Sequence, residues 1–493
     1  MSGHTLTSTA RLAFALGATV ITLVAPAQRI HAQATLDRTV PPKAGASPQL
    51  HVPAWTKTRL PNGAQLIVIQ KHDLPLVAFS IDFVGGAANF ESANKLGLAS
   101  FTGQMLSEGT PTRTADQLSD AQQMLGTAIT ANVGTESGNV RFTALKDKFQ
   151  PALALLADMM LNSTFPDSAL ERLRGRALVT LAQQKDQPNS IAQNVFLRVS
   201  YGDDHPYGHV VSERTVKAVT RADIVAFHKA YFRPGRAVIT VSGDVDPQHI
   251  KVMVENALKA WPAGGERPSF RYPSPPPPRQ RTIYLIDKPK AAQSVFSFGT
   301  PGPARNTPDF YSLTVMNHIL GGLFQSRLNH DIREVKGFSY GVRSSFAFGH
   351  GPGAFIAGGG IVSDKSDSAL MGFMTHFKGV RGDTPFTDDE IKEGKQSLIQ
   401  SLPGRFETVN GIGTAISTIY TQDLPEGYYK EYAERINAVT KADLVRVARK
   451  YVDVDHMNMV IVGDRAAIEP SLIKTGIAPI VLLDVEGRPI LQP

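Results

Sequence analysis

Residues 218–223 read Ala-Val-Thr-Arg-Ala-Asp, and residues 438–443 read Ala-Val-Thr-Lys-Ala-Asp, a match at an ungapped offset of 220 residues. The same frame carries Tyr231 onto Tyr451 and Gly243-Asp244 onto Gly463-Asp464. In each copy the threonine is placed to cap a helix, because its hydroxyl accepts an N–H that the first turn leaves without a carbonyl. An apolar strand follows each helix, VITVSGD in one and MVIVGD in the other, and both end on Gly-Asp.

Outward from this pair the order of elements also repeats. The first half opens with AQLIVIQKH and an alternation of Val77, Phe79, Ile81 and Phe83; the second opens with TIYLIDKP and SVFSFG. A helix follows in both: near Gly97 to Ser107 with Leu98, Phe101 and Met105 inward, and over Asp309 to Leu320 with Leu313, Met316 and Leu320 inward. Between the halves, Trp261 to Arg279 reads WPAGGERPSFRYPSPPPPR, whose prolines fix φ and remove donors, so neither helix nor central strand passes through. Strands fall before, between and after helices without a strict βαβ rhythm, which predicts an α+β fold rather than a doubly wound sheet. The expected architecture is two homologous halves, each a mainly antiparallel sheet packed with helices, at 53–261 and 281–475. A Pro-rich linker at 262–280 joins them, a flexible leader occupies 35–52 and a tail 476–493.

Residues 1–34 read as a secretory signal, with Arg11 in a basic head, an apolar run from Leu12 to Val24, and small residues up to Ala32-Gln33-Ala34. Cleavage after Ala34 and export are the expectation, to the periplasm where the cell is a bacterium with an outer membrane and otherwise to the extracellular space. The run is too short to span a bilayer and no later apolar stretch reaches the length of a membrane helix, so no integral segment is expected after its removal. The net charge of +7 is mild and dispersed, with no basic cluster among stacking aromatics, which argues against nucleic acid as a partner. The chain has no cysteine, which excludes disulfides, thiol catalysis and cysteine-ligated metal.

Four segments together resemble the pitrilysin and mitochondrial-processing-peptidase family of zinc metallopeptidases, the inverzincins. They are LPNGAQLIVI, GLASFTGQMLSEGT, HPYGHVVSERTVKAVTRADIVAFHKAYFRP with its VSGDVD, and SRLNHDIREVKGFSYGV. The resemblance implies a metal helix His-x-x-Glu-His, whose histidines at i and i+4 bind zinc and whose glutamate is the general base. At these positions the chain carries Ser100, Gly103 and Gln104. A hydroxyl and an amide are poor zinc ligands beside imidazole, and glycine cannot take a proton. The family's third ligand, a later glutamate, falls near Thr180, and between Arg172 and Val211 there is no glutamate at all.

The resemblance also implies an Arg and a Tyr seven residues apart, contributed by the second half, and Arg333 and Tyr340 match in type and spacing. Both can donate hydrogen bonds to a peptide carbonyl becoming an oxyanion. The same string is produced by an arginine at a helix C-terminus, a Lys336-Gly337 turn and an ordinary strand. Gly321 and Gly322 sit where related noncatalytic subunits carry a longer substrate-handling loop, and Gly358-Gly359-Gly360 offers either close backbone approach or a flexible strand end. His205 and His209 have i, i+4 spacing, but Pro206 and Gly208 argue for a structural turn on which Tyr207 packs. His318 reads as a structural histidine.

The expectation is therefore a noncatalytic, substrate-binding subunit of an exported heterodimeric zinc metallopeptidase acting on peptides. A partner chain would carry His-x-x-Glu-His and the zinc, and this chain would hold no cofactor and supply Arg333 and Tyr340. The alternative is a structural or peptide-binding homologue with no role in proteolysis.

Overall fold

The computed structural model describes residues 49–277 and 279–490; the expected signal and its cleavage site lie outside the described residues. First-half strands are Trp55–Arg59 (β1), Gln65–Gln70 (β2), Leu76–Val84 (β3), Thr130–Val133 (β4), Ser137–Leu145 (β5) and Ala237–Gly243 (β6), in sheet order β1-β2-β6-β3-β5-β4. Second-half strands are Thr282–Asp287 (β7), Gln293–Pro301 (β8), Ser339–Phe346 (β9), Ala354–Val362 (β10), Asn458–Gly463 (β11) and Ile480–Leu483 (β12), in order β9-β10-β8-β11-β7-β12. From one edge inward, β4-β5-β3-β6-β2 corresponds strand for strand to β9-β10-β8-β11-β7. Most neighbours are antiparallel, while β2 with β6 and β7 with β11 run parallel.

The sixth strand of each sheet breaks the repeat. β1 joins β2 antiparallel from the front of the described chain, whereas β12 joins β7 parallel from its end. The expected tail at 476–493 is corrected accordingly, because Leu482 and Leu483 bury their side chains when the segment pairs with Ile283 to Ile286. At the other end of the chain, Leu50 and Val52, expected in a flexible leader, pack half-buried against the largest apolar cluster.

The helices that position the site are Leu98–Met105 (α1), Asp167–Gln184 (α2), Pro188–Tyr201 (α3), Arg221–Tyr231 (α4), Phe310–Asn317 (α5), Val409–Thr421 (α6) and Lys441–Tyr451 (α7). The duplicated hexapeptides begin α4 and α7. Thr220 and Thr440 accept the N–H groups of Asp223 and Asp443 at 3.3 and 3.2 Å, and each carboxylate reaches back to its threonine's N–H at 2.9 and 3.0 Å. These reciprocal bonds satisfy donors that a helix start otherwise leaves open.

Two helices cross between the halves. From the first half, α3 lies on β8 and β11, burying Ile191, Val195 and Phe196 against Val295, Val460 and Val462. From the second, α6 lies on β3 and β6, where Ser242 donates to Val409 O at 2.6 Å and Ser417 donates to Asp82 Oδ2 at 2.6 Å. Each buried aliphatic or phenyl side chain contributes on the order of 1.5–3 kcal/mol. The exchange therefore holds the halves as one compact unit. Between them, the described residues 262–277 and 279–281 carry neither helix nor strand.

Candidate functional site

On α1 the apolar spacing buries Leu98, Phe101 and Met105 and leaves Ser100 and Gln104 exposed one turn apart. Gln104 Nε2 donates to Ser100 Oγ at 3.1 Å, so the residues at the two histidine positions are occupied with each other. Gly103 faces inward, where a methyl group would stand 3.2 Å from Ala131 O and 3.6 Å from Val133 N. A carbonyl and the amide two residues on share one edge of a strand, so α1 abuts the β4 edge that has no neighbouring strand among the described residues. Thr180 is exposed on α2 and donates to Arg176 O at 3.0 Å.

A cavity of about 310 Å³ opens here between Gly103, Gln104, Ala131, Asn132, Glu108 and Arg176. Its one carboxylate, Glu108, is paired with Arg172. Among the described residues no group of three His, Cys, Asp or Glu side chains is assembled to hold a metal ion. A hydroxyl bonded to an amide, a glycine and a nearby guanidinium do not fit zinc.

The corresponding corner of the second half is built from two π-helical turns, His318–Gly322 and His330–Val335, a geometry that recurs at functional sites. Arg333 lies in the second turn, its guanidinium carbon 4.4 Å from the centroid of the Phe324 ring and its Nε 3.2 Å from Glu334 Oε1. Gly337, at φ 66°, turns the chain into β9, and Tyr340 is the second residue of that strand. Pairing with β10 shifts register between Ser339 and Val342, and Tyr340 within this bulge is 87% exposed. Bulges re-aim side chains in this way. Ser339 Oγ accepts the Gly341 N–H at 3.0 Å and donates to Gly360 O at 2.6 Å, fixing the bulge from both strands. Burial would raise the Asp331 carboxyl, but hydrogen bonds from Lys336 and His376 hold it below the usual range and tie the π turn to the helix behind it.

The glycine candidates are corrected by packing. Gly321 and Gly322 belong to a π-helical turn rather than a loop, and a methyl on Gly321 would lie 2.5 Å from Ser344 N. Gly358 to Gly360 are interior to β10, flanked by β8 and β9, and a methyl on Gly359 would meet Gly341 O at 2.4 Å. Close strand approach requires Gly358 and Gly359, a methyl on Gly360 would meet only the end of the Gln293 side chain, and none of the three lies on an open edge.

The HPYGH segment forms a short 3-10 turn. His205 Nδ1 accepts the Tyr207 N–H at 3.1 Å and His209 bonds Asp203 O at 3.0 Å, so the two rings do not converge on a metal. Tyr207 packs against Tyr201 and Tyr272 and donates to Glu136, as the turn reading expects. His318 bonds Ser397 Oγ at 3.1 Å, and burial lowers its pKa.

Sequence reasoning missed the residues that brace these corners. Glu136, in the β4–β5 turn, accepts the backbone N–H groups of His350 and Gly351 at 2.9 and 3.0 Å, clamping the hairpin of one half to that of the other. Asn329, Asn317 and Phe324 support the second corner, and no spacing rule marks an amide such as Asn329, whose bonds go to backbone.

Known proteins resemble this arrangement. Residues 67–206 match the family model described as insulinase, peptidase family M16, and residues 218–398 match the one described as the peptidase M16 inactive domain. A Bacillus subtilis protein named uncharacterized zinc protease YmxG is 24% identical over 388 residues, 78% of this chain and 92% of its own. A Helicobacter pylori protein named non-peptidase homolog YmxG is 23% identical over 416 residues, 82% of this chain and 93% of its own. The crystal structure of a peptidase M16 inactive domain from Pseudomonas fluorescens superimposes with a TM-score of 0.77 at 24% identity, covering 84% of this chain and 99% of that one. A Helicobacter pylori protease structure gives 0.74 at 17% identity, covering 83% and 99%. These structural likenesses establish the two-halved fold.

Proposed function

The chain belongs to the peptidase M16 family as a noncatalytic homologue, and from that premise we propose that it is the substrate-binding subunit of an exported heterodimeric zinc metallopeptidase. A partner chain carries His-x-x-Glu-His and binds the metal. This chain closes the opposite side of the cleft and presents Arg333 and Tyr340 to a peptide carbonyl, on which both donate hydrogen bonds as its oxygen gains charge. One observation supports this reading above the rest: Tyr340 is turned out of its sheet by a braced bulge and left 87% exposed. A tyrosine that serves packing buries its ring, as Tyr231 does at 0% exposure.

The purified chain is expected to bind no stoichiometric zinc and to cleave nothing by itself. Co-expressed with the zinc-binding subunit, Arg333→Ala or Tyr340→Phe is expected to lower peptide turnover by roughly 10²-fold with assembly intact, the scale of losing one oxyanion donor. Tightly bound zinc in the isolated chain refutes the first expectation. Turnover unchanged in both variants favours the alternative, a structural or peptide-binding homologue outside proteolysis.

A further inference from the structure

Arg333 and Tyr340 lie on separate backbone segments, and one buried side chain bonds the supports of both. Asn329 is 3% exposed; its Nδ2 donates to Phe324 O at 2.6 Å and its Oδ1 accepts the Val342 N–H at 3.1 Å. Phe324 is the shelf beneath the Arg333 guanidinium, and Val342 is where β9 regains register beyond the bulge that presents Tyr340. A carboxamide donates only at one end and accepts only at the other, so the two bonds fix its orientation.

We infer that Asn329 is a positioning residue for the Arg333–Tyr340 pair, setting the Phe324 shelf and the bulged strand relative to each other. The inference rests on the reading of that pair as functional. Asn317 provides an internal control. Its Nδ2 donates to Ser344 O at 3.1 Å and its Oδ1 accepts from Ser344 Oγ at 2.8 Å, so both of these bonds brace the same edge strand and neither goes to Phe324. Placement errors of about 1 Å cost up to roughly 10²-fold in rate, so the loss of such a brace is measurable.

The test uses the full chain in two settings. In the isolated ¹⁵N-labelled protein, the Arg333 Nε–H resonance is shifted by the Phe324 ring, and Phe324→Leu defines its position without that ring. Asn329→Ala is expected to move the resonance toward the Phe324→Leu position, and Asn317→Ala to leave it in place. Asn329→Asp keeps the acceptor for Val342 and removes the donor to Phe324; it is expected to move the resonance likewise, and it serves if the alanine variant fails to fold. In the assembled peptidase, Asn329→Ala is expected to lower kcat about 10-fold with KM unchanged. An unmoved Arg333 resonance in both Asn329 variants, or an equal shift from Asn317→Ala, overturns the positioning role. If instead the resonance moves as expected while Arg333→Ala leaves turnover intact, the proposed function fails and the positioning stands.

Discussion

The corner where α1 meets β4 and the corner where α5 and its π turns meet β9 occupy the same place in the duplicated fold, yet their strand edges are finished differently. On β9 the Val342 N–H is taken by Asn329, the Ser344 carbonyl by Asn317, and Gly321 brings the helix into contact with Ser344. On β4 no side-chain hydrogen bond reaches the Ala131 or Val133 backbone among the described residues, and α1 only approaches, at Gly103. An unpaired edge is a template for an added strand, and a capped one is not. The sheet is thus repeated while its edges differ: the second half braces the strand that carries the exposed Tyr340, with Arg333 half-buried nearby, and the first leaves β4 without such side-chain bonds among the described residues.

The sharpest way to break this comparison is at the two glycines where helix meets edge strand. A methyl on Gly321 lies 2.5 Å from a backbone nitrogen and 2.3 Å from Ser344 Oγ, so Gly321→Ala forces apart a sealed joint. A loss of about 1–3 kcal/mol is expected, the usual scale of overpacking. Gly103→Ala meets Ala131 O at 3.2 Å across an unbonded joint, and alanine's helix preference of up to about 1 kcal/mol offsets that contact. Urea unfolding should place Gly103→Ala within about 1 kcal/mol of the parent; an equal loss at both positions would show that the edges are not finished differently.

Two carboxylates extend the comparison to pH. In the first half, burial raises the Asp82 carboxyl above its usual value of 3.8 despite hydrogen bonds from Ser417 and Ser80. The folded chain thus binds this proton more tightly than the unfolded chain, and the contribution to stability declines as pH rises from about 4 through the folded value. In the second half burial also acts on Asp309, but Arg446, Lys450 and Tyr451 at 2.7, 3.0 and 2.9 Å overcome it and hold the carboxyl down to about 2. Its contribution is present above the usual carboxyl value and is lost as pH falls toward 2. Asp309→Asn is expected to cost on the order of 1–2 kcal/mol at pH 7, allowing for solvent around Arg446 and Lys450. Asp82→Asn is expected to stabilise at pH 7 and to flatten the decline above pH 4. Unfolding midpoints measured from pH 3 to 7 check both signs, and a destabilised Asp82→Asn would mean that the charge is favoured where the helix α6 covers it.

Much of this was legible because it is local. Hydrophobic alternation and the capped repeats fixed two matching sheets, and the i, i+3, i+4 positions of Ser100, Gly103 and Gln104 fell on one helix as the spacing implies. Arg333 and Tyr340 were legible only through the family resemblance, which implies an Arg and a Tyr seven residues apart. Their supports were not, because Asn329 bonds a carbonyl and an amide that every residue possesses. Nor does amphipathicity reveal which sheet a helix covers, so the exchange of α3 and α6 was hidden, as was the clamp from Glu136 across to Gly351. The four apolar residues Ile480 to Leu483 were a visible strand signal, but too short to distinguish from a tail without the open side of β7 beside them.

The smallest expected difference is none, and it concerns the repeat itself. Thr220 and Thr440 make the same pair of bonds with Asp223 and Asp443 to within about 0.1 Å, at the start of helices of 11 residues each. Replacing an N-cap threonine with alanine costs about 1 kcal/mol, set by the donor left open rather than by the surroundings of the helix. Thr220→Ala and Thr440→Ala should therefore lose equal stability, and the double variant should lose their sum, since the caps belong to different halves and share no partner. Urea denaturation of the two single variants and the double decides it. Unequal single losses would show that the halves differ even at the elements that announce their common origin, while a double loss larger than the sum would place the coupling in the exchanged helices.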